Sequence, residues 1–204
     1  MKLYYSPGAC SLAPHIVLNE LGQTYSLEKV DLATHKTESG NDFTKVNGKG
    51  YVPALDIGEG DTLTEASTIV QYLADKAGNT QLLPKAGTME RYRAMEALNF
   101  VASELHKGLG SLFSKPLPEA RKAIVEKVSK RLDWLEAKLG KGDYLLGDSY
   151  SVADAYAFTI LNWGPMLSFD LKPWKNISAY VARIAARPAV QRAMNAEGLK
   201  AAAA

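Results

Sequence analysis

The chain has a single cysteine, Cys10, and it stands at a position where a thiol could react. It follows the turn Pro7-Gly8-Ala9, after a predicted strand and immediately before a predicted helix. The unpaired N–H groups and partial positive charge at a helix N-terminus favour a thiolate, whether it belongs to the protein or to a ligand. Most lone cysteines are small buried hydrophobic residues. Position alone therefore leaves two interpretations open, a reactive thiol and a core residue.

A second group that could do chemistry is His106, on a long predicted helix. Asn99 and Ser103 precede it by about two turns and one turn, so the three side chains share one helix face. Such a polar stripe either lines a cleft or faces water. The other histidines, His15 and His35, have no such neighbours, and with one cysteine they offer no zinc-ligand spacing. The sequence therefore predicts no metal site.

Two further segments place backbone groups where they could hold a ligand. Glu65 and Ala66 lie where a predicted strand passes into a helix, which presents N–H groups to an anion such as a carboxylate. The segment 51–54 puts Pro53 at the start of a strand, where it marks a sheet edge or makes a cis bond, and the cis form is found in only about 5–6% of such bonds. Gly8 stands alone after the first strand, which argues against a dinucleotide or ATP site.

These residues lie in two parts of different predicted structure. The first part alternates short strands and helices in the order β-α-β-loop-β-β-α, typical of a small mixed α/β sheet. Its predicted strands and helices are Lys2–Ser6, Ser11–Leu21, Tyr25–Val30, Val52–Ile57, Thr62–Thr64 and Ser67–Ala77, with an irregular connection over 31–49. The first part should occupy residues 1–81 and form one domain.

The second part, residues 88–200, has only helical periodicity and should be all-α. The predicted helices are Met89–Leu109, Pro118–Leu139, Ser151–Leu167, Trp174–Arg187 and Pro188–Glu197. Pro84 and Gly87 punctuate the boundary between the two parts. Ser151 and Asp154 have the spacing of a capping box, with Asp in place of the usual Glu, at the start of an apolar helix.

Composition excludes several classes of protein. The 204 residues contain 24 Lys and Arg against 22 Asp and Glu, and 47% are hydrophobic, which is typical of an ordinary globular protein. Charge this balanced gives no electrostatic reason to expect nucleic acid or an anionic membrane as a partner. One cysteine excludes an intramolecular disulfide and favours a reducing compartment. Since the N-terminus lacks the apolar segment of a signal peptide, we expect a cytoplasmic protein.

Taken together, in order and spacing, these segments resemble a bacterial glutathione S-transferase of the beta class. The resemblance runs from Met1 to about Lys200. It is carried by KLYYSPGACS at 2–11, VNGKGYVPAL at 46–55, LTEAS at 63–67, SELHK at 103–107, SVADAY at 151–156, RPAVQ at 187–191 and EGL at 197–199. It implies a thioredoxin-like N-terminal domain, an all-helical C-terminal domain, a homodimer, and glutathione as co-substrate without a metal.

The resemblance also implies roles for individual residues in glutathione binding. Cys10 matches the class's characteristic cysteine, which lies beside the glutathione sulfur and can form a mixed disulfide with it. Val52 should pair its backbone with the cysteinyl part of glutathione, and Pro53 matches a cis-proline, against the base rate. Glu65 and the Ala66 N–H should hold the γ-glutamyl group, although Ala66 replaces the serine that many relatives have.

The remaining implied contacts come from both domains. Asn99, Ser103 and His106 match positions that face the site, with His106 as the polar partner of the thiol. The glycyl carboxylate should meet a basic residue, and either His35 or Lys36 fits that role. For the electrophile, the candidate apolar wall comes from the helical domain and consists of Phe113, Trp163 and Met166.

The expected activity is conjugation of glutathione to small hydrophobic electrophiles, with disulfide exchange or peroxidase activity through Cys10 as an addition. Two alternatives stay open. One is a specialised glutathione-dependent dehalogenase or isomerase, because pocket shape decides the substrate. The other is a non-catalytic binding module of the same fold, against which the joint presence of Cys10, Glu65 and His106 argues.

Overall fold

In the computed structural model, residues 1–199 are described. Lys200, the last residue of the predicted helical part, lies outside the described residues, as does the run 201–204. All strands in the described part precede residue 65, and every element from Met89 onward is helical. The predicted fold class, an α/β part followed by an all-α part, is confirmed. Within residues 1–199, no helix is both long enough and apolar enough to cross a membrane.

The N-terminal part forms one five-stranded mixed sheet. Its strands are β1 (Lys2–Tyr5), β2 (Ser26–Asp31), β3 (Lys36–Thr37), β4 (Ala54–Gly58) and β5 (Asp61–Thr64), in the spatial order β3-β2-β1-β4-β5. Strands β1 and β2 are parallel, with Leu3 opposite Leu27, and the other pairs are antiparallel. Parallel neighbours need a crossover connection, and the first helix supplies it. In this order β1 is the middle strand, and the loop that carries Cys10 follows its C-terminal end.

Eight α-helices complete the described structure. They are α1 (Leu12–Glu20), α2 (Ala66–Lys76), α3 (Met89–Phe100), α4 (Lys107–Gly110), α5 (Pro118–Leu139), α6 (Val152–Leu161), α7 (Lys175–Ala185) and α8 (Pro188–Ala196). Helix α6 is buried along its whole length, as expected of a helix that is apolar all round. Helix α1 packs against α2, α6 and α8, so the sheet part and the helical part share one hydrophobic core.

The long helix predicted over Met89–Leu109 is interrupted. Helix α3 ends at Phe100, a π-helical segment follows over Val101–His106, and α4 continues to Gly110. A π-helix makes wider turns than an α-helix and is common at functional sites. The prediction of one uniform helix is wrong here, because hydrophobic spacing does not distinguish a short π-helical segment from a continuous α-helix.

The helix predicted over Ser151–Leu167 also ends early, at Leu161, and a separate 3₁₀ turn follows at Pro165–Leu167. Pro165 has no N–H to donate to a preceding turn, so it stops the helix. At the other end of α6 the predicted capping box forms. The Asp154 carboxylate accepts from the Ser151 N–H at 2.8 Å and also from the buried Tyr180 hydroxyl at 2.9 Å.

Candidate functional site

The loop between β1 and α1 is held in place by the helical part of the chain. Gly8 has a positive φ of 73°, a conformation that glycine adopts without strain. Its N–H donates to Glu197 Oε2 at 2.9 Å, and its carbonyl accepts from the Trp163 indole N–H at 2.7 Å. Both partners are buried. Cys10 is therefore presented by a loop whose backbone is fixed from two sides.

Cys10 itself is a neutral thiol in this structure. Its Sγ–H donates to the Val52 carbonyl oxygen, with an S···O distance of 3.3 Å. The pKa of Cys10 is raised to about 12, chiefly by burial and in smaller part by the charge of Glu65, whereas the backbone N–H groups of Cys10 and Ser11 and the charge of Lys107 oppose the rise. The expectation that the helix terminus favours a thiolate at Cys10 is wrong for the protein's own sulfur, because burial outweighs the helix N-terminus.

Alkylation of Cys10 by iodoacetamide is therefore expected to be slow at neutral pH and to rise about tenfold per pH unit up to about pH 11. The reason is that only the thiolate reacts, and a pKa near 12 leaves about one molecule in 100,000 ionised at pH 7. The chain has no other cysteine, so mass spectrometry of the intact protein measures the rate directly. A rate that levels off below pH 9 would contradict this assignment, and the urea-unfolded chain serves as the control with an ordinary thiol.

His106 lies at the end of the π-helical segment, where aromatic rings surround it. Its Nδ1 is 2.6 Å from the Tyr156 hydroxyl oxygen, and its ring meets the Trp163 ring edge-on at 5.0 Å. The pKa of His106 is lowered to about 4, chiefly by burial and also by the charge of Lys107, while Glu65 partly opposes both effects. At neutral pH the imidazole is therefore uncharged, and it can act on a ligand only through a hydrogen bond.

The predicted polar stripe is divided by the π-helical segment. Asn99 and Ser103 are exposed, and the Ser103 hydroxyl donates to the Asn99 carbonyl at 2.8 Å, whereas His106 is half-buried against Tyr156. The three side chains therefore differ in exposure, and the π-helical segment that contains Ser103 and His106 begins after Asn99.

Glu65 lies between β5 and α2 with a positive φ of 70°, unusual for a residue other than glycine. Its carboxylate forms an ion pair with Lys49, whose ammonium also donates to Thr64 Oγ1 at 2.8 Å. Helix α2 starts at Ala66, and the first N–H groups of a helix have no partner within it. A carboxylate and free N–H groups stand side by side here. The involvement of Lys49 was not expected from the sequence.

The Val52–Pro53 peptide bond is cis, as the resemblance implies and against the base rate for such bonds. Val52 is buried, and its carbonyl oxygen is the acceptor of the Cys10 thiol. The segment between β3 and β4 thus contacts Cys10, just before α1, through the backbone carbonyl of Val52. This contact does not require a particular side chain at position 52.

The two candidates for a basic contact differ in position. His35 has a positive φ of 53°, and its ring lies so close to Gly50 that a Cβ there would be 3.1 Å from Cε1. Its Nδ1 is buried without a hydrogen-bond partner within residues 1–199. Lys36 is exposed in the short strand β3. Only His35 of the two lies against the segment that leads to Val52.

Phe113, Trp163 and Met166 come together beside the Cys10 loop. The rings of Phe113 and Trp163 are 5.2 Å apart, and the end of Met166 lies 3.8 Å from the position of a Cβ on Gly8. Phe113 and Met166 are about half exposed, whereas Trp163 is buried. Phe113 and Met166 therefore expose apolar surface, and the Trp163 ring also meets the His106 ring at 5.0 Å.

A buried polar cluster behind the loop was missed by the sequence analysis. His15 Nδ1 lies 2.8 Å from Glu197 Oε1, and His15 Nε2 lies 3.0 Å from the Tyr25 hydroxyl. The side chains of His15 and Glu197 are fully buried. His15 is therefore a structural residue. Its partner Glu197 appears in the sequence analysis only as part of the segment 197–199 that carries the resemblance.

Potential metal ligands are not grouped in the described part of the chain. Within residues 1–199, no three His, Cys, Asp or Glu side chains stand close enough together to hold an ion. The groups that the structure places at this site are a thiol, a neutral imidazole, a carboxylate and backbone N–H groups.

Comparison with known proteins identifies the family. The model of the N-terminal domain of glutathione S-transferases matches residues 8–76, and the model of the C-terminal domain matches residues 100–188. The chain is 44% identical to glutathione S-transferase GstA of Escherichia coli O157:H7 over 201 residues, which is 98% of this chain and 100% of that protein.

Solved structures agree with this relationship. A glutathione transferase from Methylococcus capsulatus is 53% identical with a TM-score of 0.93, covering 97% of this chain and 98% of that one. The beta-class enzyme of Sphingomonas chungbukensis is 45% identical, also with a TM-score of 0.93, over 98% of this chain and 100% of that one. A sphingomonad transferase in complex with glutathione has 44% identity, the same TM-score and the same coverage. The chain belongs to the glutathione S-transferases, and within them to the bacterial beta class.

Proposed function

We propose that the protein activates glutathione as a thiolate between the Cys10 loop and His106 and transfers it to apolar electrophiles. The observation that carries this proposal is the arrangement around Cys10. Backbone N–H groups at the start of α1, the neutral imidazole of His106 and the ammonium of Lys107 act on one small region. A sphingomonad relative of 44% identity binds glutathione in its solved structure, which supports glutathione as the ligand.

The γ-glutamyl end of glutathione fits the start of α2. Its ammonium would pair with the Glu65 carboxylate, and its carboxylate would accept from the Ala66 N–H at the positive end of the helix. The cysteinyl backbone would pair with Val52, next to the Cys10 sulfur. His35 is our choice for the glycyl carboxylate, because its ring, with an unpartnered Nδ1, lies against Gly50 in the segment that precedes Val52. Asn99 and Ser103 remain proposed contacts at the exposed rim.

The glutathione thiol must lose a proton for conjugation to be fast. A thiol with a pKa near 8.5 is mostly protonated at neutral pH, and lowering that pKa by about two units corresponds to roughly 2.7 kcal/mol. Hydrogen bonds from the Cys10 and Ser11 N–H groups and from His106, together with Lys107, have the sign needed. The Cys10 thiol, being neutral, would add no charge repulsion.

The electrophile would lie against Phe113, Trp163 and Met166. A largely apolar surface with a few polar groups at one edge is the usual form of a small-molecule site. Trp163 has a second task, because its indole N–H holds Gly8. Its replacement would therefore alter the thiolate site as well as the apolar surface.

Disulfide exchange through Cys10 is the less favoured activity of this site. Cys10 would first have to lose its proton to solvent before its thiolate could attack a disulfide sulfur and displace a second thiolate. A pKa of about 12 makes that first step unfavourable at neutral pH. Conjugation needs no ionised Cys10 and is therefore compatible with a neutral thiol at this position.

Assembly and compartment follow as proposals from the same features. Helix α3 exposes Met89, Tyr92 and Met95, and a second copy of the chain in a homodimer would cover such a surface. The lone cysteine and the glutathione chemistry suit a reducing cytoplasm. The domain division at about residues 82–87 is proposed on the change from strands to helices.

The test of the proposed function is the pH profile of conjugation to an aromatic halide. After subtraction of the uncatalysed reaction, the catalysed rate is expected to reach half its maximum at about pH 6.5, about two units below the ordinary thiol pKa. Retention of the protein on immobilised glutathione would establish binding separately. A midpoint equal to that of free glutathione would show that thiolate stabilisation is not the mechanism.

A further inference from the structure

His106 has one polar side-chain partner within residues 1–199, and that partner is Tyr156. The Tyr156 hydroxyl oxygen lies 2.6 Å from His106 Nδ1, and the two rings meet edge-on at 5.8 Å. A neutral imidazole has one N–H donor and one acceptor nitrogen. The direction of the hydrogen bond at Nδ1 therefore decides whether Nε2 carries a proton.

Burial determines that direction. Tyr156 is only 3% exposed, and His106 Nδ1 is the side-chain atom within hydrogen-bond distance of its hydroxyl in the described part of the chain. If Nδ1 carried the proton instead, the tyrosine O–H would be buried without an acceptor, which is costly. Burial also raises the pKa of Tyr156 and lowers that of His106 to about 4, so both groups are neutral at physiological pH.

The other ring nitrogen remains free for a ligand. Within residues 1–199, His106 Nε2 has no hydrogen-bond partner, and it is not among the buried atoms that lack one. The His106 ring meets the Trp163 ring at 5.0 Å, and the Trp163 indole N–H donates to the Gly8 carbonyl, so Tyr156 and His106 stand beside the loop that carries Cys10. An N–H at Nε2 would donate to a thiolate there, whereas a lone pair at Nε2 would repel it.

We propose that Tyr156 is a positioning residue whose hydroxyl donates to His106 Nδ1 and so keeps the imidazole in the Nε2–H tautomer, ready to donate to a thiolate beside Cys10. The identity of that thiolate, glutathione, rests on the proposed function. The tautomer does not, because it follows from contacts within the chain.

The first test measures the tautomer without any ligand. Long-range proton–nitrogen correlation spectra of the protein labelled with ¹⁵N histidine distinguish the two neutral forms, and His106→Gln identifies the signal by its loss. We expect the Nε2–H form and no titration of His106 between pH 5.5 and 8. A predominant Nδ1–H form in the wild-type protein would overturn the proposal without recourse to any variant.

The second test removes the hydroxyl. In Tyr156→Phe we expect a mixture of tautomers and a fall in kcat for conjugation of about tenfold, with the KM for glutathione changed less than about twofold. Tyr180→Phe is the matched control, because it removes another buried tyrosine hydroxyl with a hydrogen bond of 2.9 Å, to Asp154, in the core of the helical part. It should leave the tautomer of His106 unchanged.

The outcomes separate this inference from the function on which it builds. A protein that shows the Nε2–H tautomer but does not conjugate would refute the proposed function and leave the role of Tyr156 intact. Conjugation with an unchanged tautomer and rate in Tyr156→Phe would refute the role of Tyr156 alone. Equal shifts of the tautomer in Tyr156→Phe and Tyr180→Phe would reduce Tyr156 to a packing residue.

Discussion

Replacing Glu65 by glutamine is expected to weaken glutathione binding by about 10- to 100-fold, because a charged hydrogen bond to the ligand ammonium contributes about 1.5–3 kcal/mol. The backbone of Glu65 and the start of α2 would remain, so the carboxylate end of the ligand keeps its N–H partner. Calorimetric titration of the protein with the unreactive S-methyl derivative of glutathione measures the change.

Two control variants make this prediction specific. Glu59→Gln removes an exposed carboxylate from the turn between β4 and β5, also at a residue with positive φ, and should leave the affinity unchanged. Lys49→Gln breaks the ion pair with Glu65 but keeps the Glu65 carboxylate. The side chains of Lys49 and Glu65 are 40% and 54% exposed, so loss of the pair should change the free energy of unfolding little. Equal affinity of Glu65→Gln and the wild-type protein would remove Glu65 from the site.

Replacing Glu197 by alanine is expected to lower the free energy of unfolding by about 3 kcal/mol. The change leaves the Gly8 N–H and a buried ring nitrogen of His15 without a partner, and each such loss costs about 1–3 kcal/mol. For a chain of this size the midpoint of thermal unfolding should fall by about 6–12 °C. Urea unfolding followed by circular dichroism gives the free energy directly.

Glu126→Ala is the matched control for this prediction, because Glu126 is an exposed glutamate on helix α5. It should unfold within about 0.5 kcal/mol of the wild-type protein. A Glu197→Ala variant that is as stable as Glu126→Ala would show that the buried cluster does not fasten the Cys10 loop to the end of α8.

The local sequence was enough to predict most of the elements. Glycine and proline mark the ends of helices α1 and α2 and the turn before α1, and alternation and helical spacing identify four of the five strands and most of the helices. The two-residue strand β3 was missed, because it lies in the connection over 31–49 that was predicted to be irregular. The errors lie where spacing alone carries no signal. One is the π-helical segment over Val101–His106, and the other is the early end of α6 before Pro165.

The sequence predicted where some candidate residues lie in the fold, but it did not predict their protonation states or hydrogen-bond partners. Position placed Cys10 at the start of a helix and Glu65 at the start of another, and the structure keeps both there. The neutral state of the Cys10 thiol could not be predicted, because burial of a sulfur depends on what packs over it. The partner of His106 was missed for a similar reason, since Tyr156 lies 50 residues further along the chain.

The sequence by itself determined the order of strands and helices, the turn that presents Cys10 and the capping box that starts α6, since each depends on residues within a few positions of one another. Only the tertiary structure decided which groups are charged and which are fixed by long-range hydrogen bonds. The neutral Cys10 thiol, the neutral His106 and the Gly8–Glu197 hydrogen bond across 189 residues arise from packing. Burial and long-range contact set protonation and direction, and no local pattern of residues encodes them.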